Sequence, residues 1–367
     1  MPAISILVKP ASARCNLACK YCFYHSIADS RKVPENELMS NEGAENLVRE
    51  AIKYATGRLC FAFQGGEPTL AGLSFFQNFV ALERKYNTKG LVIENTIQTN
   101  GTLIDDEWAQ FLAREEFLVG LSLDGPRAMN DYCRINYAGE SIFDSIMQTV
   151  SLFKKYGVSF NVVSVVTAKT VEKVDGIYRF FQRKGFRYMQ FIPCLDETNN
   201  GIGDYLLTPE AYGEFLCRLF DLWYEDFMTD RQTEIRMFSN LVKMSAGYAP
   251  EECGMCGRCN TYMVVESNGD VYPCDFYTRD EWKLGTVSDG FDKLYRSKKS
   301  VQFMKSSSVV QPECKRCEYF SLCRGGCRRW RDMEYNGNLQ VNYLCSGYKS
   351  FFAYAGKRIL QLGKMIL

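Results

Sequence analysis

Apolar and β-branched residues recur along the first 230 residues in short runs that alternate with segments of helical spacing. The runs are Ile4–Val8, Leu59–Phe63, Val92–Ile97, Phe117–Leu121, Phe160–Val166 and Tyr188–Ile192. Between them, residues 41–55, 73–87, 105–115, 141–156 and 171–184 carry apolar side chains three and four apart, and 208–228 do so after the last run. Six strand–helix units in succession predict parallel strands with right-handed crossovers. Their extent fits an α/β fold, a partial (βα)6 barrel, better than a small doubly wound sheet. Beyond residue 230 the pattern changes. Residues 231–252 show no clear period and read as a bridge, 253–345 form a small cysteine-rich domain, and 346–367 regain helical spacing as a C-terminal helix. Within the cysteine-rich part, Asn268-Gly269 between Tyr262–Glu266 and Val271–Pro273 signals a hairpin.

Most of the strands run into polar, turn-forming loops. The first strand leads to three cysteines and the second to Gln64-Gly65-Gly66-Glu67-Pro68. The third leads to Gln98-Thr99-Asn100-Gly101, the fourth to Ser122-Leu123-Asp124-Gly125-Pro126, and the sixth to Pro193-Cys194-Leu195-Asp196. In parallel α/β folds the carboxyl ends of the strands form the rim where ligands bind, so these loops are expected to share one site.

Composition narrows the chemistry. The 367 residues carry 44 Lys plus Arg and 43 Asp plus Glu, a balance that argues against a nucleic-acid partner. No apolar stretch approaches the roughly 20 residues that span a bilayer. The start, MPAISILVKPASARC, lacks a basic leader and is not expected to be a signal peptide. There are 16 Cys and one His, His25, which rules out multi-histidine sites from this chain alone. Three cysteines sit at 15, 19 and 22 and nine between 253 and 345, clusters expected of metal-binding thiols in a reducing cytoplasm. Cys60, Cys133, Cys194 and Cys217 are scattered and read as small buried apolar residues. Arg328, Arg329 and Arg331 around Trp330 read as a solvated face, and Leu219–Phe227 as helix core.

Cys15, Cys19 and Cys22 on one loop can hold three irons of a cubane cluster and leave the fourth open for a ligand. A zinc site closed by His25 is the other reading. The CxxxCxYC spacing after a first strand, together with Gly65-Gly66-Glu67, resembles the radical S-adenosylmethionine (SAM) superfamily. That resemblance implies a SAM-binding [4Fe-4S] cluster on the three cysteines. It further implies Gly66 and Glu67 at the SAM ammonium, Tyr21 and Leu195 flanking adenine, Ser122 at the ribose and Arg134 at the carboxylate.

The later cysteines resemble the SPASM extension of these enzymes, with two auxiliary [4Fe-4S] clusters. By position the first would use Cys253, Cys259, Cys274 and Cys327, and the second Cys314, Cys317, Cys323 and Cys345. Cys256 is left over, which keeps the choice between it and Cys259 open. Paired cysteines also suit zinc, so a non-catalytic zinc-binding module is a rival of another class.

Five segments (CNLACKYCFYH from Cys15, FAFQGGEPTLAG from Phe61, QTNGTLID from Gln98, VGLSLDGP from Val119 and VYPCDFY from Val271) resemble the anaerobic sulfatase-maturating enzymes. The resemblance implies oxidation of a Cys or Ser in a Cys/Ser-x-Pro-x-Arg sulfatase motif to Cα-formylglycine, with electrons from an external low-potential donor. With one His available, a carboxylate is the expected base, and Asp275 matches the family's position for it. Tyr24 and Gln64 would line the substrate path. Another SPASM peptide modifier, such as a thioether cross-linking enzyme, is the rival within the fold.

Overall fold

The computed structural model describes residues 3–24, 37–194, 205, 207–229, 231, 233–260, 262–332 and 337–366. In chain order the strands are β1 (Ile4–Val8), β2 (Arg58–Phe63), β3 (Val92–Thr99), β4 (Leu118–Ser122), β5 (Phe160–Val166), β6 (Tyr188–Pro193), β7 (Glu234–Ile235), β8 (Val264–Val265), β9 (Asp270–Tyr272) and β10 (Gly285–Thr286). The six apolar runs are thus β1 to β6. The chain forms two compact units: Met1–Ser122 with Asp131–Phe160 and Thr261–Phe303, and Leu123–Asn130 with Asn161–Asn260 and Met304–Leu367.

In the first unit the strand order is β10-β9-β8-β1-β2-β3-β4. Strands β1 to β4 pair in parallel, and β8 joins the free side of β1, also parallel, through Leu7 opposite Val264 and Val8 opposite Val265. Strands β8, β9 and β10 are antiparallel, so the hairpin signalled by Asn268-Gly269 is present, with Gly269 at φ 83°. Pairing with β1 gathers 261–303 into the first unit, whereas the late cysteines outside that segment lie in the second.

The longer helices of the first unit include α1 (Asn41–Tyr54), α2 (Leu73–Tyr86), α3 (Asp106–Arg114) and α4 (Phe143–Tyr156). Their ends are written locally. Ser40 caps α1 by accepting from Gly43 N, and Asp105 caps α3 by accepting from Trp108 N. Gly157, at φ 70°, ends α4. Phe61, Phe63, Phe76, Phe79, Trp108 and Phe117 interlock edge to face between sheet and helices, which fixes the strand ends that carry the site.

In the second unit β5, β6 and β7 pair in parallel. In neither unit does the strand order close on itself. The helices here are α5 (Val174–Arg183), α6 (Pro209–Met228), α7 (Arg236–Ser245) and α8 (Cys345–Met365). Helix α7 lies in 231–252. Its apolar positions Met237, Phe238, Leu241, Val242 and Met244 span only eight residues, too short a window to show a helical period. Helices α6 and α8 cross at Gly213 and Gly347, where a β-carbon on Gly347 would sit 2.0 Å from Pro209 O. Trp223 and Leu219 are buried beside this contact, as the core reading of that segment expected.

Two readings of exposure are corrected. Arg328, Arg329 and Arg331 are buried, at 2%, 1% and 2% exposure, because their guanidinium groups find backbone carbonyl and side-chain acceptors inside the fold. Of the scattered cysteines, Cys133 and Cys194 are buried, while Cys60 and Cys217 are only partly so. Among the described residues no helix is long and apolar enough to cross a membrane.

Candidate functional site

The parallel strands of the first unit end on one rim. Lys9 follows β1, Gln64 follows β2, Asn100 follows β3, Ser122 ends β4 and Glu266 follows β8. The pairing is tight at this level, with Lys9 N donating to Val265 O (2.8 Å) and Gln64 N to Val8 O (2.9 Å).

The cysteine loop is clamped on three sides. Gly66 N donates to Ser12 O and Glu67 N to Arg14 O, each at 2.8 Å. On another side Ala18 N donates to Ile135 O and Lys20 N to Cys133 O. On the third, Asn100 Nδ2 reaches both Asn16 Oδ1 (2.9 Å) and Cys15 Sγ (3.9 Å), and Asn16 Nδ2 donates to Thr102 Oγ1 (2.8 Å). Leu17 N also donates to Cys15 Sγ at 3.4 Å. Burial pushes the Cys15 thiol up to about 12, with Glu67, Cys19 and Cys22 adding to the shift. Three thiols carried on one loop, with two N–H donors on the Cys15 sulfur, suit an iron–sulfur cluster, whose potential such donors tune. His25 lies outside the described residues.

Gly66 and Glu67 brace the cysteine loop through their N–H groups, whereas a SAM ammonium would call on the Gly66 carbonyl and the Glu67 carboxylate. The Glu67 carboxylate is buried: Oε1 accepts from Thr69 N, Thr69 Oγ1 and Thr99 Oγ1, and Oε2 from Asn100 N. Burial raises its pKa, and these donors counter the rise. Gly66 is demanded by proximity, since a β-carbon there would lie 2.0 Å from Arg14 O. Gly66→Ala therefore displaces the cysteine loop. The expected result is a fall from about twelve to about eight irons per reconstituted chain and no SAM cleavage, read by iron assay and deoxyadenosine chromatography.

Of the other expected cofactor contacts, Arg134 is buried with its guanidinium over the Tyr21 ring, 5.4 Å from the centroid. Ser122 Oγ accepts from Gln98 Nε2 at 2.9 Å. Leu195 lies outside the described residues.

Asp275 sits in a network that sequence reasoning assembled only in part. Its Oδ2 accepts from the Tyr24 hydroxyl and from Gln64 Nε2 (3.2 Å), and Gln64 Nε2 also reaches Tyr24 Oη at 3.1 Å. Its Oδ1 lies 3.3 Å from Lys9 Nζ, which pairs at 3.0 Å with Glu266 Oε1, while Ser12 Oγ donates to Glu266 Oε2 at 2.6 Å. Lys9 also lies over the Tyr24 ring. The side chains of Lys9 and Glu266 are wholly buried, whereas that of Asp275 keeps 12% exposure and is the carboxylate of the network open to a ligand. Burial, reinforced by Asp275, raises the Tyr24 pKa well above its usual value, so the phenol stays a donor. Lys9, Glu266, Ser12 and Asn100 went unassigned from sequence. Asn100 stood in a loop already marked by its place after β3; an ion pair spanning 257 residues leaves no such mark.

The later thiols of the second unit group in two places. Cys314, Cys317 and Cys345 all act electrostatically on Cys323, which burial holds at about 11. Cys327 neighbours Cys259, and Gly254, next to Cys253, backs against Cys327. Cys256 points away, its Sγ directed at the Pro250 and Glu252 carbonyls. Cys256→Ala is expected to keep about twelve irons per chain, whereas Cys259→Ala loses about four, counted after anaerobic reconstitution.

The chain matches the radical SAM superfamily over residues 10–181 and an iron-sulfur cluster-binding domain (SPASM) over 253–318. It is 47% identical to the cysteine-type anaerobic sulfatase-maturating enzyme of Clostridium perfringens strain 13, over 100% of both chains. It is 34% identical to the serine-type enzyme of Bacteroides thetaiotaomicron, covering 95% of this chain and 88% of that one. A solved structure of native anSMEcpe with bound AdoMet and Cp18Cys peptide is 45% identical and superposes with TM-score 0.95 over 100% of each chain.

Proposed function

Because the chain belongs to the anaerobic sulfatase-maturating enzymes of the radical SAM superfamily, we propose that it oxidises a cysteine of a sulfatase polypeptide to Cα-formylglycine. The cofactors are SAM and iron–sulfur clusters, one for SAM and auxiliary ones in the SPASM region. Cysteine rather than serine is favoured by the kinship, which is 47%, 46% and 41% to cysteine-type enzymes against 34% and 32% to serine-type ones. Cysteine usage supports a reducing cytoplasm as its place of action.

Cys15, Cys19 and Cys22 would hold the SAM-binding cluster, Cys253, Cys259, Cys274 and Cys327 the first auxiliary one, and Cys314, Cys317, Cys323 and Cys345 the second. Residues 1–230 then carry the radical chemistry and 253–345 the auxiliary ligands, with 231–252 linking them and 346–367 closing the chain. When loaded, these groups supply a 5′-deoxyadenosyl radical that takes one hydrogen from the substrate Cβ, and an acceptor for one electron. Arg134 and Tyr21, stacked on each other beside Cys22, would hold the SAM carboxylate and adenine. Ser122, fixed by Gln98, would meet the ribose.

The protein's own part is proton handling. Asp275 Oδ2 takes the proton of the substrate sulfur as the Cβ radical loses its electron, which leaves a thioaldehyde. Water then replaces the sulfur, giving the aldehyde and hydrogen sulfide. Lys9 balances the carboxylate charge before transfer, and Tyr24 and Gln64 fix its orientation. The single observation that carries this assignment is the partly exposed Asp275 held by Tyr24, Gln64 and Lys9.

The test incubates anaerobically reconstituted protein with SAM, dithionite and a peptide containing Cys-x-Pro-x-Arg. A mass loss matching formylglycine is expected, with a smaller yield from the Ser peptide. Deoxyadenosine with no change in either peptide would overturn the substrate assignment, while a cross-linked peptide would point to a thioether-forming modifier.

A further inference from the structure

Helix α7 buries an amide among apolar side chains: Asn240 lies on the face that also buries Met237, Leu241 and Met244. A polar group is kept in such a place only where its donors and acceptors find partners, so the partners say what it holds. Asn240 Oδ1 accepts from Glu251 N at 2.7 Å and from Glu252 N at 3.4 Å. Its Nδ2 donates to Met255 Sδ at 3.0 Å and to Met244 Sδ, one turn along α7, at 3.4 Å. Both amide hydrogens and both acceptor positions are thus used. The backbone N–H groups call for the oxygen, which fixes the way the amide faces.

Three of these four partners bracket Cys253. Two are the backbone N–H groups of the residues just before it, and one is the side chain two residues after it. Between them the chain closes into a single turn, with Met255 N donating to Glu252 O (2.9 Å) and Cys256 N to Cys253 O (3.2 Å). Residues 248–251 form no regular element, so the amide supplies the fixed point that a helix or strand would otherwise give. The turn lies against the segment of a later thiol, since a β-carbon on Gly254 would sit 3.5 Å from Cys327 Cβ and from Cys327 N.

Resting on the proposed assignment of Cys253 and Cys327 to the first auxiliary cluster, we infer that Asn240 is the positioning residue of that cluster: its amide clasps the 251–255 turn and sets the place of Cys253 beside Cys327. It acts on the reaction only through the turn. Without the amide, the Glu251 N–H is left buried and unpaired, and the turn moves to satisfy it. Cys253 then moves with the turn, away from the place where it and Cys327 can hold one cluster together.

The experiment counts iron and records electron paramagnetic resonance spectra on the reconstituted full chain, native and as Asn240→Leu, Val242→Ala and Cys253→Ala. Leucine copies the branched shape of asparagine without its polar atoms. Asn240→Leu is expected to fall from about twelve to about eight irons per chain, while keeping the spectrum of the SAM-bound cluster and deoxyadenosine formation. Val242→Ala opens a cavity on the same helix but leaves the amide in place, so it should keep about twelve irons. Equal iron loss in these two variants overturns the inference, because it marks a general loosening of α7. Iron lost in Cys253→Ala but fully kept in Asn240→Leu overturns the inference alone, whereas iron kept in Cys253→Ala overturns the ligand assignment and the inference with it. Should the leucine protein not fold, Met255→Leu decides, since it removes one side of the clasp. Release of about four irons to a chelator about threefold faster than from native protein supports the clasp, and a native rate overturns it.

Discussion

Asp275→Asn is expected to leave deoxyadenosine formation within about twofold of native while formylglycine falls by at least about 100-fold, the lower range of what a positioned base supplies. The separation comes from the geometry. The cysteine loop is fixed by Gly66, Glu67, Asn100 and residues 133–135, and Asp275 makes none of those contacts. Asparagine keeps the shape, so Tyr24 and Gln64 can still bond the amide oxygen, but the amide cannot take a proton from the substrate sulfur. Hydrogen abstraction then proceeds without completion. Liquid chromatography of the nucleoside beside mass spectrometry of the peptide gives both numbers from one reaction. Native peptide conversion would remove Asp275 from the role of base. Loss of both products together would show instead that Asp275 supports SAM binding.

Local chemistry was the legible part of this protein. The six strand runs and the Asn268-Gly269 turn are each specified within a few residues, and each stands where the pattern put it. Cys15, Cys19 and Cys22 stood out for the same reason, because three closely spaced thiols on one loop are a local pattern. Contacts made by folding were not legible. Lys9 stands at the end of an apolar strand and Glu266 at the mouth of a hairpin, and neither position alone distinguishes a buried pair from two solvated charges. The bonds that Glu67 accepts from Thr69, Thr99 and Asn100 were not legible either, because folding of β2 beside β3 brings those donors to it. Arg328, Arg329 and Arg331 failed the same way: a run of charges is solvated unless acceptors wait inside the fold. Here the Ser306 hydroxyl and the Asp332, Val309 and Ser307 carbonyls wait there.

Lys9→Met is expected to cost about 3–5 kcal/mol, because it removes a wholly buried cation that pairs with the equally buried Glu266 and lies beside Asp275. Methionine matches the length of the lysine stem, so the change in charge outweighs the change in packing. In a folded unit of this size the loss lowers the melting temperature by roughly 10 °C, measured anaerobically on the reconstituted protein. The double variant Lys9→Met with Glu266→Gln separates two parts of the loss. It removes the orphaned buried charge, so at least half of the lost stability should return. Activity should not return with it, because Asp275 Oδ1 still lacks the ammonium 3.3 Å away that balances it in the native protein. A double variant that regained both stability and formylglycine yield would show that Lys9 serves only to bury Glu266. One that regained stability alone would place Lys9 in the proton-transfer machinery, as the partner that holds the Asp275 carboxylate in position.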